Sequence, residues 1–193
     1  MLLAVGTAHG DALSGQDLLT ALRAGGYVIL MRHASSPPTP PDAAKTNADN
    51  LQHERQLDVA GRSSARTMGE ALRHLHIPLG AVLSSPTYRA LETVKLAQLG
   101  QAATFPQLGD FGQSMLADTS GARAAWLRAK AAEPPVPGKN TIIVTHLPNI
   151  TEAYPQDAAG LADGEALILH PDGSGPARVL ARVKITDWGT PGP

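Results

Sequence analysis

"VILMRHASS", residues 28–36, runs four apolar residues straight into an arginine and a histidine before the chain turns polar. A continuous apolar run of this kind suits a strand buried on both faces of a parallel sheet, whereas a strand with one wet face alternates. Its ending on Arg32 and His33 has two readings. A strand end is often simply where charge meets solvent. It is also where open α/β sheets place their ligands, outside the carboxyl ends of the strands.

The flanking sequence supports a sheet covered by helices. "DLLTALRAGG" (17–26) reads as a short helix stopped by Gly25 and Gly26. Residues 34–53 are rich in Pro, Ser, Asp and Asn. That loop exceeds the ordinary connection of about 4–6 residues, which marks it as either a functional loop or a disordered insertion. From Leu57 the spacing turns helical through Ala65, Met68, Leu72 and Leu75, ending at Pro78. "AVLSS" (81–85) is a short strand, and "PTYRALETVKLAQLG" (86–100) a helix that opens on proline and closes on glycine. A further helix spans about 121–132. "TIIVTH" (141–146) repeats the opening device, an apolar strand ending on histidine, and "EALILH" (165–170) and "ARVLARVKI" (177–185) are strands joined by a "PDGSGP" turn. The alternation predicts a three-layer α/β/α sandwich with a mainly parallel central sheet, mixed if the last two strands form a hairpin. One domain is expected over residues 1–193, with its core at about 17–187.

Bulk properties narrow the partners. A chain of 193 residues, 42% hydrophobic and 17% charged, is long enough to bury a core. Its net charge of -1 offers no general attraction to nucleic acid or acidic membranes, and two Phe, two Trp and three Tyr make no stacking platform for bases. Absence of cysteine excludes disulfides, thiolate metal sites and a cysteine nucleophile. No segment approaches the ~20 apolar residues of a membrane span. The start, "MLLAVGTAHGDALSG", has an apolar beginning but no basic region and no long apolar core. Residues 1–16 are expected to be the stub of a processed leader, with an ordinary frayed end as the alternative. A periplasmic or secreted location follows from the first reading, and a cytoplasmic one stays open. No sequence feature speaks to oligomeric state.

Three strand ends carry polar candidates: Arg32 with His33; Ser84 and Ser85 with Arg89 one turn into the next helix; and Thr145 with His146. Histidine serves as a nucleophile or base near neutral pH, while arginine stays cationic and matches phosphate oxygens with a planar fork. Two arginines around a histidine therefore suggest a phosphoryl site, where the guanidiniums neutralise the transferring group as a ring nitrogen attacks phosphorus. Such chemistry calls for neither metal nor cofactor. His9, His53, His74, His76 and His170 form no ligand set, the "GSG" of "PDGSGP" lacks a phosphate-loop context, and Ser84 and Ser85 lack a nucleophile elbow.

These stretches resemble, in order, the motifs of the histidine phosphatase superfamily, whose fold is called phosphoglycerate mutase-like. "LMRHA" (30–34) is similar to its opening Arg-His-Gly/Ala, and "RQLDVAGRSSA" (55–65) to its R-x-L-[ST]-x-x-G-x-x-x-A stretch. "LSSPTYRALETV" (83–94) resembles its Ser-Ser-Pro…Arg-Ala…Glu-Thr element, and "IIVTHLPNI" (142–150) its second histidine. The resemblance implies that His33 is the nucleophile that becomes phosphohistidine. Arg32 and Arg89 would bind phosphoryl oxygens, and His146 would stabilise the transition state. Glu92 and Thr93 would support the helix, and Asn149 would orient a ring or touch substrate, or else cap a helix. For the proton donor two residues stand open: Asp110 in "LGDFG" and, preferred, Glu165 in "GLADGEALILHPDG", a stretch resembling small, often exported bacterial members. The acid-phosphatase branch carries an Asp directly after the second histidine, and Leu147 closes that route. The subgroup's cysteine pair is replaced, Tyr88 and Asn50 or a neighbour standing in its place. Few lysines favour a phosphomonoester hydrolase acting on a small phosphorylated substrate over a mutase-type phosphotransferase, with a non-catalytic phosphate-binding protein as the other alternative. Sugar phosphates, a lipopolysaccharide sugar phosphate and a phosphohistidine protein are all open as substrates.

Overall fold

In the computed structural model, which describes residues 13, 15–110, 121–173 and 175–189, the opening stretch forms β1 (Val28–Arg32). Its neighbour β4 (Asn140–Thr145) runs parallel to it, pairing Arg32 with Thr145. β2 (Leu79–Ser84) lies parallel on the far side of β4, and a two-residue β3 (Ala103–Thr104) extends that edge. On the other side β5 (Ala166–His170) runs antiparallel to β1, and β6 (Arg178–Val183) antiparallel to β5. The sheet is six-stranded in the order β3-β2-β4-β1-β5-β6, so it is mixed, with the last two strands forming the expected hairpin.

Alternate residues of β1 face opposite layers, which is why the whole run is apolar. Ile29 and Met31 pack with α1 (Gly15–Ala24), α2 (Val59–His74) and α3 (Tyr88–Ala97) through Leu22, Met68, Leu72 and Val94. Val28 and Leu30 pack on the other face with α4 (Ala122–Ala131) and α5 (Leu147–Ala153) through Leu127 and Ile150. Among the described residues, three helices on one face and two on the other make the three-layer sandwich. Among the described residues no helix is long and apolar enough to cross a membrane. The leader expectation falls on residues 1–16, of which 1–12 and 14 lie outside the described residues.

The long loop after β1 is an ordered arch. Glu92 on α3 accepts Asn47 Nδ2 (3.0 Å) and the Leu57 amide (2.7 Å), while Gln56 accepts the Asn47 amide and donates to Lys45 O. Asn50 closes a local ring with the Glu54 backbone. Tyr88 accepts from Asn47 Nδ2 and donates to Asp49, joining the loop to α3 near the positions where the subgroup's cysteines would stand. Asp58 caps α2 by accepting the Gly61 amide, and it also accepts from Ser35 Oγ. A Cβ on Gly61 would lie 2.1 Å from Ser35 O, so glycine alone lets this helix start press on the residues just after His33.

Under the opposite end of the sheet, buried Asn140 holds three chain segments. Its Nδ2 donates to Leu22 O (2.7 Å) and Pro78 O (3.0 Å), and its Oδ1 accepts the Tyr27 amide (3.1 Å). Truncation strands these buried groups, so Asn140→Ala is expected to cost about 2–4 kcal/mol, read as a lowered midpoint in urea unfolding.

Candidate active site

Backbone hydrogen bonds at the carboxyl edge of the central strands bring the two histidines together. The His33 amide donates to Thr145 O (2.9 Å), extending the β1–β4 ladder by one residue. The Ser85 amide donates to Val144 O (2.9 Å) on the other side of β4. Strand pairing thus fixes the chain around His33, His146 and Ser85 in one register. The imidazoles meet edge to face with ring centroids 5.1 Å apart.

Arg89 lies between them, 1% exposed, delivered by the second residue of α3. Its Nε donates to His33 Nε2 (3.2 Å) and its Nη2 to His146 Nδ1 (3.2 Å). Nη2 also pairs with Asp110 Oδ2, while Nη1 is buried with no hydrogen-bond partner among the described residues. Thr93, one turn on, accepts the Ala34 amide (3.1 Å) and donates to Arg89 O (2.9 Å), locking the helix to the loop after His33.

These contacts define the proton positions. His33 Nδ1 lies 2.7 Å from Ala34 O, a group that only accepts, so Nδ1 carries the hydrogen and Nε2 presents a lone pair. His146 Nδ1 accepts from Arg89, so its Nε2–H donates to Ser85 Oγ (2.9 Å), with Thr87 Oγ1 at 3.3 Å. Both rings are neutral. Burial drives the His33 pKa down to about 3; the Ala34 hydrogen bond opposes this, and Arg89, Arg32 and Arg55 add to the lowering. His146 is likewise pushed well below its usual range, by burial first and then by His33 and the same arginines.

The cavity at this edge measures about 240 Å³ and is lined by Arg32, His33, Arg55, Arg89, Asp110, His146, Leu147 and Pro148. A larger hollow of about 630 Å³ lies under the Pro-rich loop between Pro37 and Arg62, but its lining includes no histidine. Three guanidiniums therefore converge on the smaller cavity. Arg32 donates Nη1 to Leu161 O (3.2 Å) and pairs Nη2 with Asp163 (2.6 Å), and its Nε is buried without a hydrogen-bond partner among the described residues. Arg55 grips the arch, donating to Pro37 O (2.6 Å) and Ser36 O (3.2 Å). It stands outside the set expected from strand ends, although the "RQLDVAGRSSA" stretch begins with it. The substitution Leu147-Pro148 after the second histidine forms an apolar wall of the cavity and opens α5.

Two expected residues lie elsewhere. Glu165 does not line the cavity: its carboxylate takes Arg182 Nε and Nη2 (2.9 Å each) and the Ala162 amide (2.8 Å). Burial pushes its pKa up, but the Arg182 and Ala162 hydrogen bonds and the charges of Arg182 and Lys184 outweigh that and hold it below the usual range. Its carboxylate faces Arg182 on β6 instead of the cavity. Asn149 likewise does not line the cavity, and the N-cap of α5 is His146. It lies in the first turn of α5, where Nδ2 donates to Leu108 O (3.0 Å), Gly109 O (2.8 Å) and Thr145 Oγ1 (2.8 Å), pinning the segment that ends in Asp110. Asp110 is the one carboxylate lining the cavity among the described residues, and its Oδ1 is buried without a hydrogen-bond partner there. Among the described residues no group of three or more His, Asp or Glu is placed to hold a metal ion.

Comparisons with known proteins bear on the fold and the family. Among solved structures, the chain is similar to the protein histidine phosphatase SixA complexed with tungstate, at 21% identity and a TM-score of 0.59, covering 83% of this chain and 98% of that one. The structure described as putative phosphohistidine phosphatase SixA from Nakamurella multipartitia is 19% identical with a TM-score of 0.55, over 82% of this chain and 95% of that one. A mutant phosphoserine phosphatase from Entamoeba histolytica, in complex with phosphoserine, gives 12% and 0.54, over 82% and 97%. These similarities concern the fold. No curated protein matches the chain by sequence. The family model described as histidine phosphatase superfamily (branch 1) matches residues 28–135, more than half of the chain, so the chain belongs to the histidine phosphatase superfamily.

Proposed function

We propose that the protein hydrolyses phosphomonoesters in two steps through a phosphohistidine on Nε2 of His33. The observation that carries this is an unprotonated, buried Nε2 beside three convergent guanidiniums. A phosphate dianion entering the cavity meets Arg32 Nε and Arg89 Nη1, which have no partner among the described residues, and takes over the Arg89 donors that face His33 and His146. The three cations offset charge on the equatorial oxygens as Nε2 attacks in line. The N–P bond forms as the bond to the ester oxygen breaks, and Asp110, freed from Arg89 by the incoming phosphate and protonated from solvent, gives that oxygen its proton. Water then attacks phosphorus, the N–P bond breaks, and the Asp110 carboxylate takes the water's proton. Inorganic phosphate leaves. His146, aligned by Ser85, lends its ring to the transferring oxygens and is able to take up a proton as the dianion arrives.

His33→Ala is expected to abolish release of phosphate from p-nitrophenyl phosphate, with loss of an alkali-stable, acid-labile phosphoenzyme in rapid-quench labelling. A wild type inert on a broad phosphomonoester panel while still binding phosphate would favour the non-catalytic reading. Asp110→Asn is expected to slow hydrolysis of alkyl phosphates by roughly 10²–10⁴-fold and that of aryl phosphates with good leaving groups much less, because only the former need a proton in the transition state. Equal losses on both would remove Asp110 from the donor role.

The neutral histidines also set a pH dependence. In the folded chain the His33 pKa lies near 3, below an unfolded value of about 6.5, so the unfolded state binds the extra proton first. Stability is whole above about pH 6.5 and falls on acidification towards 3. Between pH 7 and 5 His33 should remove about 2 kcal/mol of unfolding free energy. Urea unfolding at both pH values checks this, and His33→Ala should flatten the difference by that amount.

A further inference from the structure

We propose that the Glu165–Arg182 pair, acting through the segment Leu161–Glu165, is the positioning device for the Arg32 guanidinium. This rests on the reading of Arg32 as a phosphate-binding group. Glu165 is 4% exposed and touches nothing in the cavity, so its burial needs another explanation. Its two oxygens take Nε and Nη2 of Arg182 from β6, a two-pronged geometry that fixes orientation as well as distance. The second oxygen also takes the Ala162 amide, and Arg182 Nη1 donates to Ala159 O (2.8 Å) and Asp157 O (3.3 Å). One guanidinium and one carboxylate thus gather the chain from Asp157 to Glu165.

That gathered segment serves Arg32. Leu161 presents its carbonyl to Nη1 and Asp163 its carboxylate to Nη2. The backbone is stitched to the catalytic strand end on both sides, the Arg32 amide donating to Glu165 O (3.1 Å) and the Gly164 amide to His33 O (3.0 Å). Gly164 makes the turn between these bonds at φ +70, and a Cβ there would lie 2.5 Å from Ile185 Cδ1. The Arg32 stem is long and flexible, and with both Nη groups anchored by the segment, the buried Nε, which has no partner among the described residues, serves as a donor for a phosphoryl oxygen. Asp163 and Glu165 have separate parts: the first holds the guanidinium, the second holds the first.

The test is the affinity for inorganic phosphate, measured calorimetrically on the full chain. Glu165→Ala and Arg182→Met are each expected to weaken binding about 3- to 10-fold, and the double variant no more than either single change. In an Arg32→Ala background the same changes should have no further effect, an outcome that general loosening of the fold would not produce. Arg182 is 35% exposed, so Arg182→Met keeps its stem and reports even if Glu165→Ala does not fold. The exchange Glu165→Arg with Arg182→Glu should recover part of the lost affinity. Unchanged affinity in Arg182→Met, or a loss that adds to that of Arg32→Ala, would overturn the proposal. So would tighter phosphate binding by Asp163→Asn, which would reduce Asp163 to a neutralising charge. If the wild type binds phosphate without hydrolysing any ester, the phosphatase reading falls while this pattern still stands or fails by itself.

Discussion

A guanidinium sealed from water has to find partners on every side, and Arg89 is such a group. It reaches His33, His146 and Asp110 at once, so the positions of two imidazoles and a carboxylate are conditions for its burial. The reverse also holds. The rings are kept neutral by burial and by cations, and a neutral ring has a lone pair to offer. Each part of the cavity makes the next one tolerable, and the group left unsatisfied, Arg89 Nη1, is a donor, which matches an incoming anion.

Much of this was legible in the chain because strands buried on both faces have no polar residues until they end. "VILMR" and "TIIVT" could hardly be anything else, and the histidines after them had to share an edge if the strands were parallel neighbours. The two-residue β3, exposed and dependent on β2 for its existence, carried no periodicity to read. α5 was read only as a helix that Asn149 would cap, since Leu147-Pro148, taken as a departure from a motif, proved to be its opening with His146 as the cap.

The proton donor could not be chosen from sequence because a loop carboxylate's direction is a tertiary fact. Glu165 was preferred to Asp110 on the strength of a resemblance alone. The left-handed turn at Gly164 and the fork of Arg182 send one outward, while the amide of Asn149 holds the segment that brings the other in. The long Pro-rich loop posed a similar question. Its composition fits disorder, yet its buried polar side chains, Asn50, Gln56 and the Glu92 that receives it, satisfy one another and suspend Arg55 over the cavity.

The reversed direction of β5 has a consequence for how such a site can diversify. A sheet with every strand parallel offers its catalytic rim only the connections that leave strands. Here the strand beside β1 runs the other way, so a connection that arrives at a strand also reaches the rim. Its last residues are tied to His33 and Arg32 through Gly164 and Glu165, so a segment outside the strand-exit turns can tune the site while the two histidines keep their own turns.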